Sequence, residues 1–387
     1  MRKGWLIGLL AGAVVIALAA GWILLREPRY NGRPLGSWLA DLDPGVPEHV
    51  QKEAAQAVRR IGIDAVPVLE RMIQEREPVK PTLRQKLIHL LSRQSLVKIR
   101  IDPDGDVRWR AARGFEALGP AGESAVPTLI KLFRDEPSRH NATAALVGIG
   151  KPAVRPLLLE LAHTDSRIRA EAVRALGAIG AEPDLVVPAL LARVEDSDRS
   201  VRSDAIRALG AFGQAAASAV PILTRLLTNP YDTMDAAFAL GGIGGEAELP
   251  LVTMLHHTNR QAKAGATAAL SFRTSSKHIA ATIPQTHNAY VTRSCLFNMS
   301  ALQMSHLLYS GKEEEMILPA LRATLQSTNA AVRLQSARAA AEFGAKARTV
   351  VPVLLNLLND ADAQVREAAR EALSRIDPDA AAMVRSK

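Results

Sequence analysis

The chain has a single cysteine, Cys295, so no internal disulfide can hold it together. Aromatic residues are only 4% of its 387 residues. That scarcity, set beside abundant Ala and Leu, disfavours a sheet sandwich and leaves few platforms on which bases could stack. Catalytic patterns are missing as well. There is no G-x-S-x-G, no phosphate-binding G-x-x-x-x-G-K, no H-E-x-x-H and no C-x-x-C. With one cysteine a zinc knuckle is excluded. No catalytic residue, metal ligand set or cofactor is therefore expected, and no small-molecule substrate.

What is present is apolar and regular. Apolar residues are 48% of the chain, enough to bury a large core and to exclude disorder. The length suggests two or three domains unless the chain is a repeat array. Residues 4–25, GWLIGLLAGAVVIALAAGWILL, carry no charge and follow a short tail, 1–3. As a helix they would span about 33 Å, against about 20 residues needed to cross the hydrocarbon core. Trp5 and Trp22 sit near the ends, where indoles favour the interface. Ala17-Leu18-Ala19 resembles a signal-peptidase site, but the apolar run continues through Trp22 to Leu25. The segment is read as an uncleaved transmembrane anchor. Its short basic N-terminus stays cytoplasmic, which puts the rest of the chain outside the membrane, in the periplasm.

The remainder repeats. Residues 102–133, 196–227 and 329–358 align with one another over a unit of 30–34 residues. Each copy reads as a helix, a glycine turn and a Val-Pro that opens a second helix. First helices carry apolar residues at steps of 4, 4 and 3: Val107, Ala111, Phe115, Leu118, then Ile168, Ala172, Leu176, Ile179, then Val201, Ala205, Leu209, Phe212. A glycine follows at positions 62, 119, 150, 180, 213, 244 and 344, where a left-handed residue ends a helix. A proline comes five to eight residues later, at 67, 127, 156, 188, 221, 250 and 352, placed for the first turn of the second helix. Asp or Asn at 104, 135, 165, 198, 229, 259, 329 and 362 is placed to cap each first helix, and Pro137 and Pro230 support a helix start beside two of them. A basic residue recurs just after the first apolar position. Stacking would bring each Arg near a neighbour's capping Asp, in a structural ladder of Asp104, Arg108, Asp165, Arg169, Asp198, Arg202, Arg333, Asp362 and Arg366.

These columns resemble HEAT repeats, of the short bacterial type also found in phycobilin-lyase-like proteins. The resemblance covers 48–377. It implies an all-α fold, an α-α superhelix of the HEAT/armadillo-like solenoid kind, preceded here by one N-terminal transmembrane helix. About nine repeats plus a terminal half-repeat are expected, degenerate at 78–103 and 258–318. The last helix, Gln364–Ile376, is stopped by Asp377-Pro378, with a tail at 378–387. Between anchor and array, the linker 26–47 contains RYNGRPLGSWLADL, where Asn31-Gly32 signals a turn and Ser37 is placed to cap a short helix carrying Trp38, Leu39 and Leu42. It resembles the juxtamembrane motif of membrane-anchored HEAT proteins of planctomycete and verrucomicrobial type, and reads either as a cap on the first repeat or as a docking site.

The resemblance implies a scaffold for protein–protein interaction more than a reaction. The absence of any His-Glu dipeptide disfavours the di-iron hydroxylases of this repeat class. The enzymatic alternative is a lyase-like helper using the degenerate repeats, which hold His256, His257, His278, His287, His306 and Cys295. The second alternative is nucleic-acid binding by the basic N-terminal third. Residues 1–113 contain 19 basic and 12 acidic residues, against 29 and 27 in the rest. Within that third, Arg84, Lys86, Arg93, Lys98 and Arg100 are candidates to face a partner or anionic lipid. In superhelices of this kind the second helices line the concave face, so positions four after each proline are expected to point into its groove: Arg71, Lys131, Glu160, Ala192, Arg225, Met254, Ala323 and Asn356. That row is not a continuous basic track, so no nucleic-acid partner is expected.

Overall fold

The computed structural model describes residues 27–75, 107–270 and 313–385, in two compact units, Met1–Glu160 and Leu161–Lys387. Outside the described residues lie the anchor 4–25, most of both degenerate stretches, Asp104 and the basic group Arg84, Lys86, Arg93, Lys98 and Arg100. Among the described residues no helix is long and apolar enough to cross a membrane.

The N-terminal unit opens with a two-residue hairpin, β1 (Arg29–Tyr30) and β2 (Arg33–Pro34). Asn31 and Gly32, with φ of 50° and 76°, form its turn, the conformation that Asn-Gly favours between antiparallel strands. Helix α1 (Leu35–Ala40) follows. Ser37 does not cap it, because the helix already begins at Leu35. Instead the Ser37 hydroxyl accepts from Arg33 Nη2 at 3.0 Å, and the same guanidinium reaches Asp41 at 2.7 Å while lying 3.7 Å from the Trp38 ring centre. Trp38 is 3% exposed and its Nε1 donates to Tyr30 O at 3.3 Å. This piece covers the first repeat, whose helices are α2 (Glu48–Ile61) and α3 (Val66–Gln74). Two further pairs complete the unit: α4 (Val107–Leu118) with α5 (Val126–Arg134), and α6 (Arg139–Ile149) with α7 (Val154–Glu160). Helix α4 packs directly on α3. A methyl group at Gly114 would come within 2.5 Å of Leu69 and 2.8 Å of Leu39, so glycine is what lets these elements approach.

The C-terminal unit continues with α8 (Ser166–Ile179), α9 (Pro183–Leu191), α10 (Arg199–Ala211), α11 (Val220–Leu226), α12 (Thr233–Ile243) and α13 (Gly245–Met254). A further first helix, α14, is described over 260–270. Then come α15 (Glu313–Thr324), α16 (Ala330–Glu342), α17 (Val351–Leu357) and α18 (Ala363–Ile376). The residues expected as a tail form one more helix, α19 (Pro378–Arg385). The Asp-Pro pair that ends α18 also starts α19: Asp377 Oδ1 accepts from Ala380 N–H at 3.1 Å and Pro378 takes the position that needs no donor.

Most of the apolar steps read from the sequence lie in the buried stripe, and Val107, Ile179 and Phe212 at its ends are half-buried. Ala111, Phe115, Ala172, Leu176, Val201, Ala205 and Leu209 are all fully enclosed. All seven repeat glycines have positive φ. Gly62, Gly150 and Gly244 combine it with ψ near −130°, a region that L side chains rarely adopt. The prolines divide. Pro67, Pro127, Pro221 and Pro352 sit in the first turn, each after a short 3-10 turn. Pro188 and Pro250 lie inside longer helices, because α9 begins at Pro183 and α13 directly after Gly244. The caps divide too. Asp165, Asp198, Asn259, Asn329 and Asp362 accept from N–H groups of the first turn. Asp135 and Asn229 do not, because Pro137 and Pro230 belong to a turn and the helices begin four residues later, at Arg139 and Thr233.

Candidate interaction surface

Three sets of polar side chains are built on this frame. The first lies at the loops between repeats. Arg169 donates from Nε and Nη2 to both oxygens of Asp196, at 3.0 and 2.7 Å, while its Nη1 reaches the carbonyls of His163 and Thr164. Arg333 does the same to Asp360, at 2.7 and 2.8 Å, and to Ser327 O and Thr328 O. Arg202 and Arg366 bind the loop carbonyls of residues 196–197 and 360–361. The acceptors therefore differ from those expected. Asp198 and Asp362 are occupied as caps, and the pairing carboxylates stand two residues earlier. That position forms a column of its own. Asp196 and Asp360 accept from the N–H two residues on, and His163, His257 and Ser327 do so through Nδ1 or Oγ. His257, a metal-site candidate in the sequence, is thus a loop-closing acceptor. Burial opposes the Asp196 charge, but hydrogen bonds from Arg169 and from the Asp198 N–H outweigh it and hold the carboxyl below its ordinary range. The Arg333 hydrogen bond does the same for Asp360.

The second set crosses α8, α10 and α12. Arg174 pairs with Glu171 on its own helix and with Asp204 on α10, at 2.6 Å for the latter. Asp204, 5% exposed, is shared with Arg207, whose Nε lies 3.9 Å from Asp235 on α12. Ser203 donates to Asp235. Burial pushes the Asp235 carboxyl above its ordinary range, and the Ser203 hydrogen bond and Arg207 only partly counter it. Sequence reading missed this relay. Its trace is E-x-x-R at 171–174 and D-x-x-R at 204–207 in matching repeat positions. Close backbone contact makes the relay possible: a methyl on Gly210 of α10 would lie 2.6 Å from the Ala239 Cα of α12.

The third set is the outer face of the second helices. The buried side is set by apolar triplets: Val66, Leu69, Ile73 in α3; Val126, Leu129, Phe133 in α5; Val154, Leu157, Leu161 at α7. Counting from these, the outermost position is Arg71, Lys131 and Leu159 in the N-terminal unit. The proline-based count fails in α7, where Arg155 precedes Pro156 in place of valine. Leu159, 76% exposed, takes the position expected for Glu160, which is 2% exposed and bound by Arg134 through Nε and Nη2 at 3.0 and 2.6 Å. That hydrogen bond raises the Arg134 pKa. In the C-terminal unit Ala192, Arg225, Ala323 and Asn356 are exposed. In α13 the exposed residue is Thr253 in place of Met254. Arg225 is paired with Glu195 at 3.1 Å.

Of the histidine and cysteine candidates, only His256 and His257 are described. His256 Nδ1 lies 2.6 Å from Glu342 Oε1, and Ser327 Oγ donates to Glu248, so α13 packs against α16. His278, His287, Cys295 and His306 lie outside the described residues. Among the described residues no three His, Cys, Asp or Glu side chains converge in a way that could hold a metal ion.

The sequence pattern of HEAT repeats matches residues 93–177, 134–191, 156–238, 187–271 and 316–384, which together exceed half the chain. No curated protein matches it. Solved structures similar to it include an engineered protein, 21% identical over 88% of this chain and 98% of that one, with a TM-score of 0.31. Importin beta is 16% identical over 88% of this chain and 57% of its own, with a TM-score of 0.34. Human deoxyhypusine hydroxylase, in complex with glycerol, is 18% identical over 66% and 97%, with a TM-score of 0.22.

Proposed function

The chain belongs to the HEAT-repeat family, and from that membership we propose that it is a membrane-anchored scaffold that presents its second-helix face to protein partners and performs no catalysis of its own. The observation that carries this reading is how the polar side chains are used. On the first helices and loops they bind one another, in the Asp196 and Asp360 pairs and the Glu171–Asp235 relay. On the second helices one whole side faces solvent, on a frame whose other side is fully packed. The uncharged run 4–25 supports an anchor of the kind found in membrane-attached HEAT proteins, with the N-terminus cytoplasmic and the repeats in the periplasm.

Crosslinking of the full chain in its native membrane, followed by mass spectrometry, tests the scaffold. Reproducible crosslinks to one or a few proteins through second-helix residues are expected, and none from abundant protein would overturn the reading. Protease protection of the repeats in intact cells, lost on opening the outer compartment, tests the sidedness.

A further inference from the structure

The outer faces of the second helices are not chemically alike, and the difference points to a partner. In the N-terminal unit the outermost row is Arg71, Lys131 and Leu159, one on each described second helix. Arg155 flanks Leu159 one helical turn away on the same side of α7, and is also exposed. None of these three cations has an ion-pair partner among the described residues, whereas Arg134 beside them is taken up by Glu160. The only other acid on the described residues of these three helices is Glu70, half-buried on the flank of α3. Leu159 is 76% exposed, a large apolar side chain standing out among cations.

Resting on the scaffold reading, we infer that this face docks an extended acidic protein segment with one apolar anchor. The geometry sets the spacing. Packed helices lie about 8–10 Å apart, and a chain in the extended polyproline-II form has three residues per turn and advances about 3.1 Å per residue, so every third side chain faces the same way. One contact per helix is therefore one contact every third residue: acidic, two residues, acidic, two residues, apolar, facing Arg71, Lys131 and Leu159 in turn. A nucleic-acid strand fits worse. Its charges are more closely spaced than one per helix, the third position is apolar, and no exposed aromatic on these helices offers a base a stacking surface.

The test is fluorescence anisotropy with the full-length chain in detergent. The probe is a labelled peptide of repeated Asp-Ala-Ala-Asp-Ala-Ala-Leu, with its reversed and scrambled forms. One of the two ordered peptides should bind, and the scrambled one more weakly. Leu159→Asp should weaken binding about tenfold or more, and Lys131→Glu several-fold, with a loss that shrinks as salt rises. Arg225→Glu, on the paired cation of the other unit, should change nothing. Equal binding of the scrambled peptide, or indifference to both Leu159→Asp and Lys131→Glu with melting temperatures unchanged, overturns the inference. So does tighter, Lys131-dependent binding of a single-stranded oligonucleotide or of phosphatidylglycerol vesicles. In all these cases partner crosslinks elsewhere on the chain would leave the scaffold reading standing.

Discussion

The second helices of the two units share one buried face and differ on the other. In the N-terminal unit the outward row is two cations with no ion-pair partner among the described residues and an exposed leucine. In the C-terminal unit the corresponding row holds Ala192, an Arg225 already bound to Glu195, Thr253, Ala323 and Asn356. The inward residues hardly vary, because each must fill space between neighbouring helices at native density. Nothing in the packing dictates the outward ones, so their chemistry is free to follow a partner. In a repeat protein, departures from the repeat on an exposed row carry more functional information than the repeat itself.

The sharpest test of this contrast uses two leucines two residues apart in α7. Leu157 is fully buried and Leu159 is exposed. Leu157→Ala should cost about 2–5 kcal/mol in a urea titration, and Leu159→Ala less than about 0.5 kcal/mol. Comparable losses would break the register proposed for the outer row. The next effect concerns the acids of the same face. Glu160→Ala removes a buried acceptor of two Arg134 hydrogen bonds and should cost about 1.5–3 kcal/mol. Glu195→Ala removes only a solvent-exposed pair and should cost under about 1 kcal/mol.

Two aspartates of the C-terminal unit should respond to pH with opposite sign. Asp196 is held below its ordinary range, so its contribution to stability is present above the unfolded pKa of about 4 and is lost as pH falls through the lower folded value. Asp235 is pushed up, so its contribution is present below the unfolded pKa and is lost as pH rises through the folded value. Asp196→Asn should therefore lower, and Asp235→Asn raise, the urea midpoint at neutral pH, and both differences should shrink in acid. Equal signs would refute the assignment. The smallest effect belongs to Arg225→Ala, under about 0.5 kcal/mol and fading with salt.

The buried stripes, the left-handed glycines and the capping residues Asp165, Asp198 and Asp362 were legible in the sequence, because each depends on neighbours within about one turn of helix. The partner of Arg169 was not. Asp196 lies one repeat away, and the capping Asp198 beside it was an equally good candidate until both side chains had directions. The Asp204–Asp235 relay was hidden for the same reason. The outer row slipped by one residue in α7 and α13 because proline served as the ruler, whereas the helix is oriented by its buried residues. The anchor and the candidates His278, His287, Cys295 and His306 lie outside the described residues and rest on the sequence alone.

The repeat, its period, its turns and the buried side of each helix are written into local stretches of the chain. Those follow from the local conformational limits of glycine and proline and from apolar side chains that must leave water. Which carboxylate each arginine holds, which charges are used up internally and which residues are left facing outward emerge only when the repeats stack. Those outcomes depend on distances between side chains a repeat apart, and a one-residue rotation of a helix is enough to exchange a buried Glu160 for an exposed Leu159.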